Sequence, residues 1–154
     1  MKIIKYIYIL LLIFVSSCSK EKNKVVFDTS FSGARLDSLI KKSENSFEAI
    51  IKPAFEPVNK SPWFAFGISR NTPKTIDLTL NYGKYKHRYI PKLSTDKKNW
   101  KKIKSQNISI DTVGGTATLK LNISSKKLYV AAQELESSKY TYAFIAFSIF
   151  LLFL

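Results

Sequence analysis

The 154-residue sequence holds one cysteine and one histidine, and these two scarcities exclude more chemistry than any other feature of it. A single cysteine, Cys18, leaves no internal disulfide and no cysteine-based metal cluster. A single histidine, His87, removes most zinc sites and most histidine-dependent catalytic designs. It stands in Lys86-His87-Arg88-Tyr89, with no Glu three residues on and no second histidine to join it, so a solvent-facing or hydrogen-bonded strand histidine is expected. Glycine and proline are also sparse, five of each, which argues against a disordered or low-complexity chain. No cofactor is called for by these residues.

What is present is the composition of one globular domain, 45% hydrophobic and 14% aromatic, long enough to bury a core once the two ends are set aside. Lys and Arg outnumber Asp and Glu by 25 to 11, a formal charge of +14 that would attract nucleic acid, anionic lipid or an acidic partner. The basic residues are scattered as singles and pairs such as Lys41-Lys42, Lys97-Lys98 and Lys126-Lys127, mostly beside turns. No groove-reading motif accompanies them, so solvation of loops and strand edges is the reading taken, with no nucleic-acid partner. Asp28, Asp37, Asp77, Asp96 and Asp111 fall beside turns or on polar strand faces, where carboxylates cap backbone donors.

Residues 1–17 have the layout of a secretory signal: Lys2 and Lys5, then the apolar run IYILLLIFV, too short to span a bilayer comfortably. The run ends in Val15-Ser16-Ser17-Cys18, which resembles a bacterial lipobox. The resemblance implies acylation of Cys18, with diacylglycerol and an amide-linked chain such as palmitate, and attachment to a bacterial membrane on its periplasmic or outer side. More than one hydrocarbon chain suffices for stable anchoring. Residues 18–24 then read as a polar tether.

At the other end, Tyr140 to Leu154 reads YTYAFIAFSIFLLFL, without a charge, Gly or Pro. As a helix it would reach roughly 22 Å, short of the ~30 Å hydrocarbon core. It stands open as a tail inserted part-way, as a last buried strand or helix, or in a third sense given below.

Between the ends the pattern has period two. Strands are expected over Val25 to Thr29, over Phe47, Ala49 and Ile51, over Phe64, Phe66 and Ile68, and over Ile76, Leu78 and Leu80 after the turn at Asn71-Thr72-Pro73. Asp37 and Ser38 start either a strand or a short helical turn, and Pro57 and Pro62 bound a surface loop. Tyr85, His87 and Tyr89 continue the alternation to Pro91. Later strands follow at Asn107 to Thr112, at Ala117 to Ile123 after Gly114-Gly115, and at Leu128 to Ala132, which is apolar on both faces and so central in its sheet. About eight or nine short strands with little helix predict an all-β fold, an antiparallel jelly-roll-like β-sandwich, flanked by a signal helix and an apolar tail.

One stretch invites a binding role. Tyr82, Tyr85, His87, Arg88 and Tyr89, with Trp100 further on, interleave rings with cations, as a surface for a glycan or peptide would. Packing of the rings over a sheet face explains the same residues.

Several short motifs, taken in order, resemble a known family. Trp63-Phe64-Ala65-Phe66, Leu78-Thr79-Leu80-Asn81-Tyr82-Gly83, Lys86-His87-Arg88-Tyr89-Ile90-Pro91-Lys92, Asn99-Trp100 and Leu128-Tyr129-Val130-Ala131-Ala132-Gln133-Glu134 are similar to the β-sandwich that precedes the catalytic domain in zinc carboxypeptidases of the cytosolic carboxypeptidase type. The similarity runs over residues 25–136. It implies a non-catalytic accessory module, since the zinc ligands and catalytic Glu of that family belong to its downstream domain and match nothing here; the motif at His87 is His-Arg-Tyr-Ile. Residues 137–154 then gain their third reading, an out-of-frame remnant after a truncation near Ser138. Three functions stand: a membrane-tethered remnant or protein-interaction module that is no enzyme, a surface glycan- or peptide-binding module, and a subunit completed in trans by a separate peptidase domain.

Overall fold

A computed structural model describes residues 23–135, and the period-two segments within it become strands of two stacked sheets. In chain order the strands are β1 (Val26–Asp28), β2 (Ser38–Lys41), β3 (Ser46–Ile50), β4 (Pro53–Phe55), β5 (Asn59–Pro62), β6 (Ala65–Ser69), β7 (Lys74–Asn81), β8 (Lys92–Ser94), β9 (Lys101–Lys102), β10 (Ile108–Asp111), β11 (Thr116–Ile123) and β12 (Leu128–Ala131). One sheet has the order β1-β6-β12-β8-β9, the other β10-β11-β7-β3-β2, and β4 with β5 forms a separate hairpin. No helix among the described residues is long and apolar enough to cross a membrane.

Alternation decides which side of each strand meets the core. Ile76, Leu78 and Leu80 of β7 are buried together with Ala117, Leu119, Leu121 and Ile123 of β11, and the register Leu78↔Leu119 places them side by side. Thr79 and Thr118, one position on, point outward and bond hydroxyl to hydroxyl at 3.1 Å. Phe47 and Ala49 of β3 extend this apolar face, and Phe66, Ile68 and Val130 close it from the opposite sheet. Each Val, Ile, Leu or Phe among them contributes about 1.5–3 kcal/mol by leaving water. β12 lies in the middle of its sheet, as its two apolar faces require.

Four expectations are corrected or refined. All pairings are antiparallel except β3 with β7, which is parallel, so the second sheet is mixed. Ser38 begins strand β2, not a helical turn. The segment between Pro53 and Pro62 is the β4–β5 hairpin, giving twelve strands in all among the described residues. Residues 85–90 hold no strand. That last segment leaves β7 in one sheet and enters β8 in the other, so it bridges the end of the sandwich and cannot join either ladder. The alternation of Tyr85, His87 and Tyr89 reflects rings turned toward the core beneath a loop.

Candidate functional site

The loop between β7 and β8 carries five of the six candidate residues. It starts at Tyr82, whose ring is 3% exposed and packs edge-on against Phe64 at 6.5 Å and His87 at 5.2 Å. The Tyr82 amide donates to the Gly115 carbonyl at 2.9 Å, and the Tyr85 amide donates to the Tyr82 carbonyl at 2.9 Å. These two bonds curl the loop back under the β10–β11 turn.

His87 is half-buried, its Nδ1 3.0 Å from the Tyr82 hydroxyl. Its Nε2 is buried and has no hydrogen-bond partner among the described residues. Burial pushes the His87 imidazolium pKa below its ordinary value and raises that of the Tyr82 phenol well above its own, because each charged form would lose hydration. The pair is neutral at physiological pH.

Tyr85 and Tyr89 are half-buried against the core cluster. The Tyr85 phenol is shifted upward, chiefly by its hydrogen bond to Glu56, while the Lys84 ammonium lies 5.3 Å from its ring. Arg88 is exposed and donates to the Ser61 hydroxyl, tying the loop to β5. Trp100 stands apart on the turn between β8 and β9, half-buried, its indole N–H donating to the Lys97 carbonyl at 3.1 Å. The structure therefore gathers Tyr82, Tyr85, His87, Arg88 and Tyr89 at one end of the sandwich and leaves Trp100 elsewhere. Cys18 lies outside the described residues.

Asp28, Asp37, Asp96 and Asp111 accept from backbone amides, while Asp77 is exposed on β7. Asp96 accepts from the amides of Lys98 at 2.9 Å and Asn99 at 2.8 Å, and these bonds, the Asn99 amide first, hold its pKa well below the usual carboxylate range. Asp111 accepts from Val113 at 3.0 Å and Gly114 at 2.9 Å; Asp37 accepts from Lys52 at 2.9 Å. Asp28 pairs with Lys127, which with Ser30 depresses its pKa strongly. Among the described residues no three His, Cys, Asp or Glu side chains come together to hold a metal ion.

Sequence reasoning passed over three residues at the same end: Phe55 and Val58 on the β4–β5 hairpin, and Val113 on the β10–β11 turn. All three are strongly exposed. Phe55 and Val58 flank Glu56-Pro57 in a stretch read as a loop, and a large apolar residue on each side of a turn was the available signal.

No protein-family model and no curated protein matches the sequence. Solved structures do match the fold. A metallo-carboxypeptidase from Burkholderia cenocepacia superposes with a TM-score of 0.63 at 16% identity, over 80% of this chain and 32% of its own. A chain assigned as a carboxypeptidase from Burkholderia mallei gives 0.65 at 14% identity, over 85% and 34%. One assigned as a carboxypeptidase A from Shewanella denitrificans gives 0.63 at 16%, over 79% and 32%. The chain thus has the fold of part of these bacterial carboxypeptidases and spans about a third of their length.

Proposed function

We propose that the chain is a non-catalytic accessory module of the metallo-carboxypeptidase kind, held at a bacterial envelope membrane by lipid on Cys18, whose work is to contact a protein and not to turn over a substrate. The observation that carries the reading is the shared fold: a sandwich that elsewhere makes up 32–34% of a carboxypeptidase chain. Two features support it. Among the described residues the carboxylates other than the exposed Asp77 are engaged with backbone amides, polar side chains or basic residues, and the one histidine is held neutral against a buried tyrosine. Such groups stabilise loops; they do not present a general base or a metal-bound water to a cleft. The order of the module's motifs, from Trp63 through Glu134, supports the same assignment.

The test is a peptidase assay on the purified chain with and without added zinc, against peptides of varied C-terminal residue. No zinc-dependent release of C-terminal amino acids is expected. Zinc-dependent turnover that survives further purification and is abolished by His87→Gln would overturn the proposal.

A further inference from the structure

The three most exposed large apolar side chains among the described residues are Val113 at 98%, Val58 at 91% and Phe55 at 72%. They belong to elements far apart in sequence, yet the fold brings those elements to one end. Glu56 of the hairpin meets Lys84 at 3.9 Å, Arg88 reaches Ser61, and the Tyr82 amide bonds to Gly115 in the turn that carries Val113. A depression of about 480 Å³, lined by Ile50, Lys52, Glu56 and Tyr85 among others, lies between hairpin and loop. Single exposed apolar residues need no explanation, but several gathered beside a concavity do. Around them stand Lys52, Lys60, Lys84, Lys86 and Arg88, all exposed. The local carboxylates are already engaged, Glu56 with Lys84 and Asp111 with its own turn.

Apolar tips ringed by cations suit either an anionic lipid surface or a protein whose apolar patch is bordered by carboxylates. The strand directions separate the two. Asn23, where the described chain begins, takes a bond from Arg70 at 2.6 Å and one from Thr72 at 3.2 Å, beside the start of β7. The loop and the tips lie past its other end, since Asn81 pairs with Thr116 and Lys74 with Ile123. Along β7 that separation is roughly 23 Å. A lipid on Cys18 reaches Asn23 through five residues, about 18 Å at most, and so holds the opposite end toward the membrane. The chain leaves the sandwich at the tip end: Ala131 pairs with Ala65, and Ala132 and Gln133 border the same surface as Arg88 and Ile90.

We infer that this end is a docking surface for a folded protein domain, with Phe55, Val58 and Val113 entering an apolar patch on the partner and Lys84, Lys86 and Arg88 meeting carboxylates around it. The inference rests on the accessory-module reading for its membrane orientation. Anchors of this kind dominate an interface while the charged border sets orientation and encounter rate.

The full-length chain, expressed in its source cells with p-benzoylphenylalanine in place of Phe55, Val58 or Val113, tests it by photo-crosslinking; Thr72 and Ser125 at the opposite end serve as control positions. One protein, identified by mass spectrometry, is expected in the adducts from all three end positions and not from the controls. Combining Phe55→Asp with Val58→Asp lowers the yield from the Val113 position about tenfold or more, with an unchanged urea midpoint showing that the variant folds. An adduct with a metallo-carboxypeptidase supports both this surface and the proposed function. An adduct with an unrelated protein overturns the peptidase assignment; it supports the surface where the crosslinked site of that protein is an apolar patch bordered by carboxylates and overturns it otherwise. Adducts with phospholipid or with a second copy of the chain, equal yields at the controls, or no adduct at all overturn the surface and leave the proposed function standing.

Discussion

Gly115 and Gly83 offer a paired test of how the candidate end is built. Both have left-handed backbone, φ +63° and +54°, where an L side chain costs about 1–2 kcal/mol. Alanine at either site recovers part of this, about 0.4–1 kcal/mol, by restricting the unfolded chain. At Gly83 nothing lies within 4 Å of the position a Cβ would take, whereas at Gly115 that Cβ would stand 2.6 Å from the Gly83 carbonyl oxygen. The obstacle is backbone, so the turn must withdraw, and the bond from the Tyr82 amide to the Gly115 carbonyl at 2.9 Å is lost or stretched, for about 0.5–1.5 kcal/mol more. Gly83→Ala should therefore cost about 1 kcal/mol or less, and Gly115→Ala about 2 kcal/mol, a difference of roughly 3–5 °C in midpoint for a domain of this size. Thermal unfolding followed by Trp63 and Trp100 fluorescence measures both. Equal midpoints for the two variants would refute the close approach of the β10–β11 turn to the Tyr82 loop, and with it the geometry that gathers Val113 with Phe55 and Val58.

Two further outcomes are expected. His87 has a folded-state pKa below its unfolded value of about 6.5; between the two the unfolded chain binds more protons, so the contribution is complete above about pH 6.5 and is lost as pH falls through the folded value. Urea midpoints at pH 7.5 and pH 5.0 should show this loss, His87→Gln should reduce it, and an unchanged loss in the variant would assign it to the carboxylates instead. Cys18→Ala should abolish incorporation of labelled palmitate and release the chain from the membrane fraction; labelling retained in that variant would refute the anchor.

Much of the sandwich was legible because alternation is a local property. Ile76, Leu78 and Leu80 must share a face whatever they pair with, and Leu128 to Ala132, apolar on both sides, had to lie inside a sheet. The turn carboxylates were legible for the same reason: Asp96 and Asp111 bond to amides two and three residues away. The misread segments depended on pairing and not on the alternation of neighbours. Pro53 interrupts one pattern yet opens β4, because its mate Pro62 is supplied by the same hairpin. Tyr85, His87 and Tyr89 imitate a strand, but the chain there is crossing between sheets. The parallel pairing of β3 with β7 has no local signature.

Of the candidate site, the residue types could be read and their environments could not. Interleaved rings and cations from Tyr82 to Tyr89 suit a presented surface and a packed loop equally well until the burial of Tyr82 and its contact with His87 are known. Phe55, Val58 and Val113 look unremarkable singly, since only a fold can show that three exposed apolar residues lie at one end.

By itself the sequence determined the period of the strands, the capping of the turns, the scarcity of metal-ligating residues and the expectation of a lipid on Cys18, all set by neighbours along the chain. Tertiary structure alone decided which strands share a sheet, that the Tyr82 loop closes one end over a buried Tyr–His pair, and that this end lies opposite Asn23. These depend on pairings between residues tens of positions apart, and hydrophobic burial selects among such pairings only when the whole chain is packed.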